Sequence, residues 1–219
     1  MSNERAARWA LVTGASAGIG EAFARELAAR GCNLVLTARR RERLDTLSAE
    51  LVSRHAIKVE CISADLADPQ APAQLCAEIA RRGVVVDTLV NNAGYGLPGQ
   101  FHAQPWHAHA QFLQVMVSSP CELVHILLPA MQQRAYGRII NVASLAGLIP
   151  GSAGHTLYGA SKAFLIKFSQ SLALENAARG VNVCAVCPGF TYSEFHDITG
   201  TRNVVSKMPN WMWLTAAEV

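Results

Sequence analysis

Apolar, β-rich runs alternate with helix-period segments along almost the whole chain, and that alternation restricts the fold more than any other feature of the sequence. The runs are Trp9 to Val12, Asn33 to Ala38, Lys58 to Ile62, Val85 to Val90, Arg138 to Val142 and Val181 to Cys187. Between them lie segments with apolar residues three and four apart: Ile19, Phe23 and Leu27 ahead of Gly31, then Leu44, Leu47 and Leu51, then Leu75 and Ile79 between Pro69 and Gly83. Trp106 to Arg134 reads as one long helix, apolar nearly all round, that Pro120 and Pro129 are expected to kink or segment. Thr156 to Arg179 reads as a second long helix closed by Gly180. Strands separated by helical crossovers cannot pair as hairpins. The prediction is therefore a single α/β domain with a doubly wound parallel sheet in three layers. The tail from Phe190 to Val219 mixes Gly, Pro, Trp and Met irregularly, which predicts a loop and a short helix over a cavity, with no further strand.

Composition removes several functions. The 219 residues are 51% hydrophobic and 16% charged, with a net charge of +3 spread over scattered arginines, so no nucleic-acid footprint is expected. Met1 to Arg8 is polar and runs directly into a strand, so no secretory or transit segment is expected. No apolar run approaches the roughly 20 residues of a membrane helix, so no membrane attachment is expected. The six cysteines show no disulfide framework, which points to a reducing, cytoplasmic setting. Cys184 and Cys187 form a C-x-x-C, but odd spacing in a strand sends them to opposite faces. The seven histidines lack ligand spacing, and no metal is expected.

The chemistry lies where strands end. After the first strand the chain reads Thr13-Gly14-Ala15-Ser16-Ala17-Gly18-Ile19-Gly20, a turn whose glycines let the backbone approach a pyrophosphate held by the next helix N-terminus. Asp65-Leu66 follows the third strand, and Asn91-Asn92-Ala93-Gly94 follows the fourth, at the carboxyl edge where such sheets bind ligands. Ser144 lies just past the fifth strand. Tyr158 and Lys162 stand four apart on a helix, so phenol and ammonium share one face, and a neighbouring cation favours the phenolate. Pro188-Gly189 ends the sixth strand.

In this order and at nearly this spacing, over about residues 9 to 200, these motifs resemble those of the classical short-chain dehydrogenase/reductase family, whose Rossmann fold agrees with the strand and helix reading. The resemblance implies that Gly14, Ser16, Gly18, Ile19 and Gly20 bind the dinucleotide, that Asp65 and Leu66 contact adenine, and that Asn92, Ala93 and Gly94 line the same groove. Tyr158 would be the catalytic acid/base, with Lys162 lowering its pKa and bonding the nicotinamide ribose. Ser144 would hydrogen-bond the reacting oxygen, and Pro188, Gly189 and Thr191 would lie along the nicotinamide and diphosphate. Two departures stand out. The Ser144 to Tyr158 interval is one residue longer than usual, so the loop from Pro150 to His155 is expected to bulge. Met116 stands where the family carries an Asn that relays protons from the Lys, and without that Asn the helix is expected to run more regularly.

At the end of the second strand the chain reads Leu36-Thr37-Ala38-Arg39-Arg40. No acid is present near Ala38 to bind a ribose 2′-hydroxyl, and Arg39 offers a cation to a 2′-phosphate, which predicts NADP(H). The expected function is hydride transfer between NADP(H) and a carbonyl or alcohol of a small apolar substrate. A dinucleotide-binding sensor or partner subunit with little turnover is the alternative, supported by Met116 and by the expected lack, after Val219, of the last helix and strand that the family would normally have. The two long helices predict a homodimer or homotetramer. Phe101, Trp106, Tyr192, Phe195 and Trp211 are aromatic candidates for the substrate pocket.

Overall fold

The computed structural model describes residues 8–192, 194 and 208–219. Its strands are β1 (Trp9–Thr13), β2 (Asn33–Ala38), β3 (Val59–Ser63), β4 (Val86–Asn91), β5 (Gly137–Val142) and β6 (Val181–Val186). They form one sheet in the order β3-β2-β1-β4-β5-β6, every pairing parallel. Each crossover carries a helix: α1 (Gly18–Ala29), α2 (Arg41–Arg54), α3 (Ala71–Arg81), α4 (Trp106–Leu113) with α5 (Ser119–Gln133), and α6 (Thr156–Asn176). The chain winds outward from β1 in one direction through β3 and in the other from β4 through β6. Between β1 and β4 the loops therefore diverge and leave a crevice at the carboxyl edge.

Two apolar layers hold the sheet. On one side Ala10, Val12, Leu34, Leu36 and Val90 pack with Ala24 and Ala28 of α1 and Leu44, Leu47 and Leu51 of α2. On the other, Leu11, Val35, Leu89 and Ile139 pack with α3, with Leu123 and Met131 of α5, and with Leu172 of α6. Alternate residues of one strand feed opposite layers, as the two-residue strand period requires. Leu11, Leu34, Leu36, Leu89 and Ile139 are fully buried, and each contributes about 1.5–3 kcal/mol as an upper estimate of hydrophobic stabilisation.

The long helix departs from expectation in three ways. It is divided by a π-helical segment, Gln114–Ser118, between α4 and α5. That segment contains Met116, so replacing the family's Asn has not made the helix regular. Pro120 falls in the first turn of α5, where its missing N–H costs nothing, while Pro129 lies inside a helix that continues to Gln133. Finally, the stretch Trp106–Gln133 is long and apolar enough to cross a membrane by length and composition. No unbroken apolar run reaches that length, because His109, Gln114 and Glu122 interrupt the runs without lowering the average much. In this fold part of its apolar surface serves the core, with Phe112, Met116, Leu123 and Met131 each at most 1% exposed.

The tail also carries more order than expected. Phe190–Tyr192 forms β7, which pairs in parallel with β8 (Trp213–Thr215) apart from the main sheet. Trp213 stacks on the Tyr192 ring at 4.7 Å. A short 3₁₀ turn, Asn210–Met212, precedes β8, matching the expected short helix. Phe195 lies outside the described residues.

Candidate active site

The crevice opens into a cleft of about 1810 Å³ at the carboxyl edge of the sheet. One wall is the turn after β1. Gly14 and Gly18 adopt the left-handed conformation, with φ of 66° and 59°. A Cβ on Gly14 would meet Asn92 Nδ2 at 2.8 Å and Ala93 Cα at 2.9 Å, so the turn packs flush against the segment after β4. That segment is sewn to it by hydrogen bonds. Thr13 Oγ1 accepts from the Asn92 and Ala93 amides at 2.9 and 3.0 Å, and Asn92 Nδ2 donates to Thr13 O at 2.9 Å.

Gly14, Ser16, Gly18 and Ile19 line the cleft, as do Arg39, Asp65, Leu66, Asn92, Ala93 and Gly94. Gly20 does not. Its place is behind the turn, where a Cβ would fall 2.4 Å from Gly14 O, so its role is close packing of α1 on the turn. No side chain caps the N-terminus of α1, and its first-turn N–H groups remain available for an anion. Asp65 also closes a local turn by accepting from the Ala67 amide at 3.0 Å. The Thr37 hydroxyl, on the same wall, is 1% exposed and has no hydrogen-bond partner among the described residues. Beside it, Arg40 donates to Ser16 Oγ from Nε at 3.3 Å and from Nη2 at 3.1 Å. Uncapped amides, an orphan hydroxyl and two arginines suit a phosphorylated dinucleotide.

At the other end, the loop after β5 and the helix α6 bring Ser144, Tyr158 and Lys162 together on the cleft wall. The Ser144 hydroxyl accepts from the Ala146 amide at 3.1 Å and is hydrogen-bonded to the Tyr158 phenol. Gly147 permits this contact, since a Cβ there would lie 2.6 Å from the Lys162 backbone. Lys162 is 5% exposed, donates to Val142 O at 2.7 Å and stands 5.7 Å from the centroid of the Tyr158 ring. In the loop between Ser144 and Tyr158, Gly154 is left-handed with a φ of 80° and its carbonyl accepts from the Gly99 amide at 2.9 Å. Pro188, Gly189 and Thr191 complete this wall, and Pro188 O accepts from the Leu145 amide at 3.0 Å.

The electrostatics differ from the simple expectation. Burial pushes the Tyr158 phenol above its usual value, and the Ser144 hydrogen bond only partly offsets this. Lys162 is not among the causes. Burial instead lowers Lys162 itself to about 8, with a nearby Cys187 acting against that shift. With the cleft as it stands, Tyr158 is a protonated acid at neutral pH.

Several positioning residues have roles that the sequence motifs do not announce. Asn91 Nδ2 donates to Asn141 Oδ1 at 2.9 Å, Asn141 Nδ2 to Ser169 Oγ at 2.8 Å, and Ser169 to Leu165 O at 2.7 Å, a buried chain tying β4, β5 and α6. Polar residues within apolar strands were the available cue. Met116 lines the cleft, and its Sδ would lie 2.9 Å from a Cβ on Gly94. Of the aromatic candidates, Trp211 lines the cleft. Phe101 and Trp106 instead flank His109, and Tyr192 packs on Trp213. No group of three or more His, Cys, Asp or Glu that could hold a metal occurs among the described residues.

Comparison with known proteins agrees with this geometry. Residues 8–202 match the family model for short chain dehydrogenase. The chain is 38% identical over 219 residues to Nodulation protein G of Rhizobium sp. (strain N33), covering 99% of this chain and 87% of that one. It is 33% identical over 195 residues to the very-long-chain 3-oxoacyl-CoA reductase of Anas platyrhynchos, covering 87% of this chain and 62% of that protein's length. A short-chain dehydrogenase from Sphingobium yanoikuyae in complex with NADPH superposes with a TM-score of 0.89 at 34% identity, over 96% of this chain and 80% of that one.

Proposed function

The chain belongs to the short-chain dehydrogenase family, and on that premise we propose that it is an NADP(H)-dependent oxidoreductase of apolar carbonyls or alcohols, with Tyr158 as acid/base. The observation that carries the reading is the convergence of Ser144, Tyr158 and Lys162 at one end of a cleft whose other end presents uncapped helix amides and arginines. When bound, the cofactor supplies or accepts the hydride at nicotinamide C4. Everything else falls to the chain's own groups.

In the reducing direction the Tyr158 phenol donates its proton to the oxygen of the substrate, and the Ser144 hydroxyl hydrogen-bonds that same oxygen. Lys162, whose ammonium donates to Val142 O, would hold the nicotinamide ribose when the cofactor is bound. Arg39, exposed at the end of β2, and Arg40, beside Ser16, take the 2′-phosphate, for which the NADPH held by the Sphingobium relative is a precedent. Asp65 and Leu66, which line the cleft, would border the adenine, while Gly94, Pro188, Gly189 and Thr191 would border the nicotinamide half.

Among the described residues the substrate end is walled by Leu145, Ile149, Met208, Trp211 and Met212, which favours an apolar molecule. The similarity to a very-long-chain 3-oxoacyl-CoA reductase is compatible with a bulky apolar ketone. Phe164 and Leu174 on α6 and Ile126 on α5 are exposed apolar side chains, which supports pairing with a second copy. Free cysteines throughout the described residues suit a cytoplasmic setting. The test is NADPH consumption with a panel of bulky and small aldehydes and ketones. Turnover of the bulky apolar members is expected; cofactor binding without turnover of any member would favour a sensor.

A further inference from the structure

One carboxylate in the nucleotide end of the cleft has no part in the chemistry above. Glu194 accepts from Arg40 Nη1 at 2.9 Å and from Arg43 Nη1 at 2.5 Å. Arg40 meanwhile gives its other edge, Nε and Nη2, to Ser16 in the turn after β1. A single guanidinium thus joins the turn to a residue two positions past β7, and Ser16, Arg39, Arg40 and Glu194 all line the cleft. The hydrogen bonds from Arg43 and then Arg40 hold the Glu194 carboxyl below the usual range, so it is anionic at neutral pH.

A carboxylate and a phosphate monoester make the same demand of an arginine: two parallel N–H donors from a planar fork. Arg40 cannot serve both fully. Arg43 can hold Glu194 alone, because its contact does not pass through Arg40. Building on the NADP(H) reading, we propose that Glu194 is a specificity-setting residue that competes with the 2′-phosphate for Arg40. Binding of a 2′-phosphorylated nucleotide exchanges the Glu194–Arg40 pair for a phosphate–Arg40 pair, and Arg43 keeps Glu194. The arginines Arg39 and Arg40 advertise a strong preference for the phosphate, and Glu194 tempers it.

All three side chains are 39–49% exposed, so the competition is small in energy and screened by salt. The experiment is a titration of wild type and Glu194→Gln at low ionic strength with NADPH, 2′,5′-ADP, NADH and 5′-AMP. Glu194→Gln should tighten NADPH and 2′,5′-ADP by about two- to fivefold and leave NADH and 5′-AMP where they were. The gain should vanish in an Arg40→Ala background. Unchanged or weaker binding of the 2′-phosphate ligands, equal tightening of all four, or a gain that survives Arg40→Ala would each overturn the proposal. A wild type without preference for the 2′-phosphate sinks the cofactor reading alone; Glu194→Gln then still decides this one, by acquiring that preference or failing to.

Discussion

The two ends of the cleft are built in different ways. At the nucleotide end the wall is mostly backbone: a turn with two left-handed glycines, the uncapped start of α1, and the amides of Asn92 and Ala93 held by one threonine hydroxyl. At the catalytic end the wall is side chains from separate elements: Ser144 after β5, Tyr158 and Lys162 on α6, Trp211 and Met212 from the tail. Backbone recognition is indifferent to the rest of the ligand, and a family can keep it while its substrates change. Side-chain recognition is where individuality enters. Energetically the ends should therefore be separable, with nucleotide affinity set at one and turnover at the other.

The sharpest way to break that separation is Tyr158→Phe. Turnover should fall by about 10²–10⁴-fold with NADPH affinity retained, measured by steady-state rates and cofactor titration. Near-normal turnover would remove Tyr158 as the acid. The converse variant, Arg39→Ala, should weaken NADPH about tenfold, as for loss of one charge-assisted contact, while sparing NADH and the turnover at saturating cofactor. Equal loss for both nucleotides would show that Arg39 serves the fold rather than the phosphate.

Lys162 gives a subtler test through pH. Its folded pKa of about 8 lies below the ordinary 10.5, so between those values the unfolded chain binds the extra proton and stability rises with pH. Relative to Lys162→Met, wild type should gain on the order of 1 kcal/mol between pH 7.5 and 9.5 in denaturant melts. Above pH 10 the raised Tyr158 pKa acts in the opposite sense, because the folded phenol then keeps the proton. Parallel curves for the two proteins would mean that the ammonium is not desolvated. The smallest effect is expected at Met116. If the missing Asn limits proton resupply, Met116→Asn should raise turnover by about two- to fivefold, within the lower range of acid–base effects, at constant cofactor affinity. A variant no faster than wild type on a substrate that turns over would show that the relay is dispensable here.

The same contrast explains what could be read from the sequence. The nucleotide end was legible because glycine spacing at a strand-to-helix turn is a local code, and all six main strands were found within two residues of their ends. The sequence does not separate Arg40 from Arg39, because adjacent arginines are alike until the fold turns one toward Ser16. The catalytic trio was legible by pattern, but its electrostatics were not. Tyr158 lies under burial rather than under the influence of Lys162, a matter of depth that i,i+4 spacing does not encode. The π-helical segment was equally hidden, since its apolar residues keep the helical period while the hydrogen bonds change register. The Gly147 approach to α6 and the Asn91–Asn141–Ser169 chain depend on partners 15 to 50 positions away and have no local signature.

The strand order has a consequence in time. β1 is made first, yet the turn that follows it gains its contacts with Asn92 and Ala93 only later, the Asn92 amide meeting Thr13 across 79 positions of chain. At about 5–20 residues per second, a ribosome needs roughly 4–16 s to cover that distance. Through that interval β1 can pair with β2 but has one open edge, an apolar strand waiting for a neighbour not yet synthesised. Slow stretches of translation placed before β4 would prolong the exposure. The nascent chain should thus be most vulnerable to misassembly, and most in need of a holding chaperone, while only its first three strands are out.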